Sequence, residues 1–191
     1  AFGDHLRCLR DRVRIEAAVT DLNQRRRRVI HRELPSAAVV LDPGALIKLA
    51  LGGLEHTRKR LRARLNSRER SKLAGDKALL EKGENRLTPS EQETLTDWSQ
   101  DFPDLIAAYR IKERARALFS ASGPQHAKDQ MHTCLEEIPP TLATAFEPFT
   151  NALAAWEEEI VNSHHHPTPE SLNEPVNRLG AAIRRMGRGY S

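Results

Sequence analysis

Val13-Arg-Ile-Glu-Ala-Ala-Val-Thr-Asp-Leu22, Gln24-Arg-Arg-Arg-Arg-Val-Ile-His-Arg-Glu33 and Ser36-Ala-Ala-Val-Val-Leu-Asp-Pro-Gly44 follow one another in a single stretch. In the first, alternation passes into a short apolar run rich in β-branched residues, which predicts a strand ending near Asp21. In the second, Val29 and Ile30 stand among arginines, which suits a helix with one narrow apolar stripe. Pro35 ends that helix, because the residue before a proline is pushed out of the helical region. The third reads as a buried strand closing on Asp42-Pro43-Gly44, which is turn chemistry. Strand, helix and strand within about 30 residues make a βαβ unit and predict parallel strands. Both strands carry an Asp at the C-terminal end, the edge where open α/β sheets build their sites.

Beyond Ala45 the strand signal disappears. Leu46, Ile47, Leu49, Ala50, Leu54 and Leu61 follow helical spacing, with Gly52-Gly53 predicted to interrupt it. Thr88-Pro89-Ser90-Glu91 reads as a helix start, and Pro103 as another. Gly123-Pro124 is a break. Helices are then expected over Ala127–Ile138, over Leu142–Val161 and over Glu170–Met186, with His164–Pro169 as a loop. Trp98, Phe149, Trp156 and Cys134 lie on apolar helix faces and read as core.

The 191 residues hold 39% apolar and only 5% aromatic side chains, so the core must be mostly aliphatic. With 30 Lys+Arg against 26 Asp+Glu, the net charge of +4 suits a polyanionic partner. No run approaches the roughly 20 apolar residues of a membrane span, and none marks a signal peptide. Cys8 and Cys134 are too few for a disulfide framework or a four-ligand zinc site.

Three acids stand out for chemistry: Asp21 and Asp42 at the strand ends, and Glu174 early in the last expected helix. Carboxylates are the hard oxygen ligands that Mg²⁺ prefers, and two such ions can activate an attacking oxygen and stabilise a leaving one. An Asp after a strand is also a common turn former. The basic runs Arg25, Arg26, Arg27, Arg28 and Arg58, Lys59, Arg60, Arg62, Arg64 suit phosphate contacts, with a solvated helix face as the plainer alternative. His164-His-His166 reads as an exposed loop rather than a metal site.

The ordered motifs resemble those of bacterial insertion-sequence DDE transposases of the ISL3 group. They are Val19-Thr-Asp-Leu-Asn23, Arg32-Glu-Leu-Pro-Ser-Ala37 and Val39-Val-Leu-Asp-Pro43. Further on come Asn85-Arg-Leu-Thr-Pro89, Tyr109-Arg-Ile-Lys-Glu113, Trp156-Glu-Glu-Glu-Ile160, Glu174-Pro-Val-Asn177 and Arg188-Gly-Tyr190. The resemblance implies an α/β, mostly helical fold: a partial ribonuclease-H-like core with a large α-helical insertion. Residues 1–45 would be partial core, 46–166 the insertion, and 167–191 the last core helix with its Glu-x-x-Asn motif. It implies Asp21 and Glu174 as catalytic metal ligands, Asp42 in support, and Glu170 as the alternative to Glu174, one helical turn earlier. The metal would be Mg²⁺ or Mn²⁺ and the partner DNA at transposon ends. The setting would be cytoplasmic and nucleoid-associated, with a homo-oligomer allowed. The family's first catalytic Asp lies on an earlier strand with no counterpart before Asp21, and Gly44-Ala45 replaces its Phe-His. The sequence therefore reads as a fragment or degenerate copy, inactive in cleavage and strand transfer by itself. The alternative is a non-catalytic helical DNA-binding or oligomerisation module derived from such a protein.

Overall fold

A computed structural model describes residues 2–9 and 12–166. The βαβ expectation holds. β1 (Ala17–Thr20) and β2 (Ala38–Leu41) run parallel, Ala17 opposite Ala38 and Thr20 opposite Leu41. Between them runs α2 (Gln24–Glu33), started by Asn23, whose side chain accepts from the backbone N–H groups of Arg25 and Arg26 at 3.0 Å. The first strand is shorter than its pattern suggested. Residues Arg12–Arg14 form a 3₁₀ turn with Val13 in solvent. The ladder runs out there, since Ala38, the first residue of β2, already donates to Glu16. α1 (Phe2–Arg7) packs on α2, and Leu6, Ile30, Leu34, Ala37 and Val39 form a small aliphatic cluster.

The rest is helical: α3 (Pro43–Arg64), α4 (Ser67–Lys72), α5 (Asp76–Glu81), α6 (Pro89–Asp101), α7 (Pro103–Ala117), α8 (Pro124–Glu136), α9 (Ala143–Ala155) and α10 (Glu157–His165). α3 packs against both α7 and α9 and forms the spine of the main core. The glycine pair does not interrupt it. Gly52 sits in open space, whereas a Cβ on Gly53 would lie 2.8 Å from the ring of Phe146. Gly53 is therefore the point where α9 comes close to α3, not a helix stop. Thr88 and Glu91 form a capping box at the start of α6, as Thr-Pro-Ser-Glu predicts.

One polar group lies deep in this core. Lys112 is fully buried, its Nζ donating to the carbonyls of Leu80 (2.9 Å) and Lys82 (2.5 Å) beside Glu113 and above the Tyr109 ring. It ties the end of α5 to α7. Burial pushes its pKa below the ordinary lysine range.

The single helix expected over Leu142–Val161 is two helices. The chain bends at the buried Trp156, so α10 sets off separately and lies along β2. Ala38 and Asp42 bond toward β1, so Val39 points its carbonyl to the outer edge of the sheet. Asn162 of α10 donates to that carbonyl at 3.0 Å. A strand edge left bare is an aggregation template, and α10 covers this one. The same docking carries α10 on through His165, so His164 and His165 are helical rather than loop residues. The expected helix over Glu170–Met186 lies outside the described residues.

Candidate active site at the strand ends

The backbone of Asp42 donates to the carbonyl of Thr20 at 2.8 Å, extending the ladder by one step. Asp21 and Asp42 thus stand next to each other at the C-terminal ends of neighbouring strands, whose axes lie about 4.8 Å apart. Two helices begin there, α2 three residues after Asp21 and α3 directly after Asp42. Both acids already have partners. Asp21 Oδ2 accepts from Arg26 at 3.0 Å, with both side chains about half exposed. Asp42 Oδ1 accepts from the N–H of Gly44 at 3.0 Å and caps α3, with Pro43 at its first position. The turn-former role considered for an Asp after a strand is therefore present at Asp42. Thr20, the residue before Asp21, is buried and its hydroxyl has no hydrogen-bond partner.

Glu174 and Glu170 lie outside the described residues. Among the described residues no three His, Cys, Asp or Glu side chains are grouped so as to hold a metal ion. Oxygen donors of the right kind for Mg²⁺ are thus present as a pair, and a third would have to come from elsewhere.

The basic runs divide. Arg25 and Arg28 project from α2 into solvent, and Arg64 from the end of α3. Lys59 is exposed and pairs with Glu55 at 3.5 Å. The others cross-link the fold. Arg58 donates to Glu55 at 2.6 Å, and both Arg58 and Arg62 converge on the buried Asp76, at 3.3 and 3.0 Å. Arg60 donates to the carbonyl of Thr141. Arg58 holds the Glu55 carboxyl down at about 2. Arg58 and Arg62, four residues apart, share the helix face that meets Asp76, but that spacing alone suits a solvated face equally well.

Arg27 also turns inward. It sits 4.9 Å from the centre of the Trp156 ring, and its Nε stands 2.5 Å from Glu159 Oε1. Glu159 is buried, and burial holds its carboxyl above the ordinary range despite the nearby charge of Arg27. Cys134 is buried in the helical core, where burial pushes its thiol up to about 11, so it behaves as a small apolar residue. A groove of about 650 Å³ between α6 and α7 is lined by Leu95, Tyr109, Arg110 and Glu113, and does not border the strand ends.

The family model of DDE transposases of the ISL3 group, described as a transposase, matches residues 2–191. The chain belongs to this transposase family. No curated protein and no solved structure gives a match. The match runs over nearly the full length, including the stretch that holds Glu170 and Glu174. Among the described residues of this transposase-family chain, no helix is long and apolar enough to cross a membrane.

Proposed function

We propose that this chain is the C-terminal part of a DDE transposase catalytic domain, with its βαβ unit belonging to a ribonuclease-H-like core. The observation that carries this reading is the register that sets Asp21 beside Asp42 at the ends of two parallel strands. The outer edge of β1, where Val19 is half exposed, carries no strand among the described residues and leaves room for more of such a core.

Asp21 and Glu174 would hold Mg²⁺ or Mn²⁺, with Asp42 in support and Glu170 as the alternative to Glu174. A bound divalent ion there supplies an activated oxygen nucleophile and charge stabilisation at the phosphodiester. Asp21 must exchange Arg26 for the ion, which frees the Arg26 guanidinium for a phosphate at the same edge. Asp42 keeps Oδ1 on Gly44 and offers Oδ2. Arg25, Arg26, Arg28, Lys59 and Arg64 are the exposed members of the basic runs, and to them we assign the phosphate contacts. On this reading the chain binds DNA through those side chains. The capping role of Asp42 and the ion pair of Asp21 also suit the second reading, a non-catalytic DNA-binding or oligomerisation module.

Fluorescence anisotropy with a short duplex tests the proposal. Affinity should fall steeply as salt rises from about 50 to about 300 mM, because each phosphate contact releases counterions. The variants Arg25→Ala and Arg64→Ala should each weaken binding and reduce the salt slope by about one. Arg62→Ala should lower stability and leave that slope alone. Binding indifferent to salt would sink the DNA reading. Mn²⁺ binding followed by electron paramagnetic resonance, lost in Glu174→Gln and Asp21→Asn, separates the catalytic reading from the module.

A further inference from the structure

Four arginines in a row open α2, and sequence logic gives all four the same job. The third has a different one. The Arg27 side chain is 22% exposed and reaches the corner where α9 ends and α10 begins. Nη1 donates to the carbonyl of Ala155 at 2.9 Å, one of the carbonyls a helix end leaves without an internal partner. Its guanidinium lies over the Trp156 ring. Its Nε meets Glu159 Oε1 at 2.5 Å, in the first turn of α10. Three different groups on three residues of one corner therefore converge on a single side chain from another element.

The Glu159 end of this joint is under tension. The carboxylate is 1% exposed, and neither oxygen has a hydrogen-bond partner, because the close Arg27 N–H does not point along the bond direction. The other basic side chain facing it is His31, one turn further along α2, with Nε2 at 3.9 Å. Glu158, its neighbour in α10, adds a repelling charge. A buried carboxylate in this position is held by its countercharge, takes up a proton or leaves the interior, and leaving would lift the first turn of α10 away from α2.

We infer that Arg27 is a positioning residue. It seats the α9–α10 corner against the βαβ unit and so fixes where α10 lies along β2. This rests on the proposed catalytic reading only in its consequence. α10 is the last described helix before the segment with Glu170 and Glu174. The nine residues from His165 to Glu174 can span at most about 30 Å. A displaced α10 would move the point from which that tether starts.

The test is a distance measurement on the full chain. Spin labels go on Gln24→Cys, exposed on α2, and His165→Cys, exposed at the end of α10, in a Cys8→Ser background with Cys134 buried. The parent should give one narrow distance distribution. Arg27→Met should broaden it about twofold, since the corner then samples open states. Glu159→Leu should do the same. The double variant Arg27→Met with Glu159→Leu should narrow it again, because two apolar groups can replace a buried pair where one orphaned charge cannot. In a Trp98→Phe background, Trp156 emission should shift to the red in Arg27→Met alone. Should Arg27→Met melt the chain, the isosteric Glu159→Gln gives the same reading with milder disturbance.

An unchanged narrow distribution in Arg27→Met overturns the inference, as does a double variant as broad as the singles. Mn²⁺ binding by the parent chain is scored separately. Its absence, with the broadening and rescue intact, would remove the catalytic reading and leave the positioning role in place.

Discussion

Around Phe146 the chain packs rings against helix backbone. Around Val39 it packs leucine, isoleucine and alanine and adds guanidinium groups at the margins. In the helical body, Phe146 and Phe149 meet edge-on at 6.3 Å, and Leu105, Leu142 and Leu153 are fully buried beside them. In the α/β corner, a five-residue aliphatic cluster is fastened by Arg7 and Arg32 on Glu33 and by Arg27 on Glu159. The body is stabilised mainly by apolar burial, which neither titrates nor is screened by salt. The corner depends on charge partners for its placement, and two short strands contribute little alone. A site built at the ends of those strands inherits that dependence.

The sharpest way to break this contrast is to remove side chains from each region. Phe146→Ala should cost about 3–5 kcal/mol in denaturant unfolding, since the ring is fully buried between α3 and α9 and no neighbour can refill its place. Leu34→Ala in the corner should fall nearer about 2 kcal/mol, because a small cluster can collapse onto the gap. Equal losses would mean that the corner is as tightly packed as the body.

The two adjacent glycines sharpen it within one helix. Gly53→Ala must push its methyl into the Phe146 ring, where the gap is 2.8 Å, at a cost of about 1–3 kcal/mol for overpacking. The helix propensity gained, up to about 1 kcal/mol, offsets only part of that. Gly52→Ala meets nothing within 4 Å and should stabilise by up to about 1 kcal/mol. Melting temperatures should thus move in opposite directions. If Gly53→Ala stabilises as well, α9 is not held close to α3.

The same glycines show which parts of the fold were legible. Asn23, Pro35, Thr88 and Pro103 act locally, through capping or fixed dihedrals, and their helix ends appear where the sequence puts them. So does the parallel pair with its two terminal acids, because β-branched runs around a short helix admit few arrangements. Gly52-Gly53 looked like a break because a close approach from a residue some ninety positions away has no local signature. The bend at Trp156 was hidden for the same reason. At the site, the strand-end acids were legible and the fate of the arginines was not. A run of like charges reads as one surface, yet Arg27, Arg58 and Arg62 each find a buried acid contributed by another element.

The last contrast lies in pH, and it sets one carboxylate of the corner against another. Arg7 and Arg32 hold the Glu33 carboxyl at about 2, against an ordinary 4.5, so the native state prefers it ionised. Its contribution is complete above about pH 4.5 and is lost as pH falls toward 2. Glu159 has the opposite sign. Burial raises its pKa, so its ionised form weighs against the native state above its unfolded value, and acid removes that penalty. In the body, Glu55 is also held at about 2, but by Arg58 three residues along the same helix, so protonation there unpairs one turn rather than two elements. Acid should therefore release α1 from α2 first. The methyl signals of Leu6 should drift toward random-coil positions between about pH 4.5 and 2, while those of Leu105 hold. Glu33→Gln should make Leu6 indifferent to pH across that window. If Leu6 and Leu105 move together, the corner and the body unfold as one unit, and the ion pairs at the margin are not what holds α1 in place.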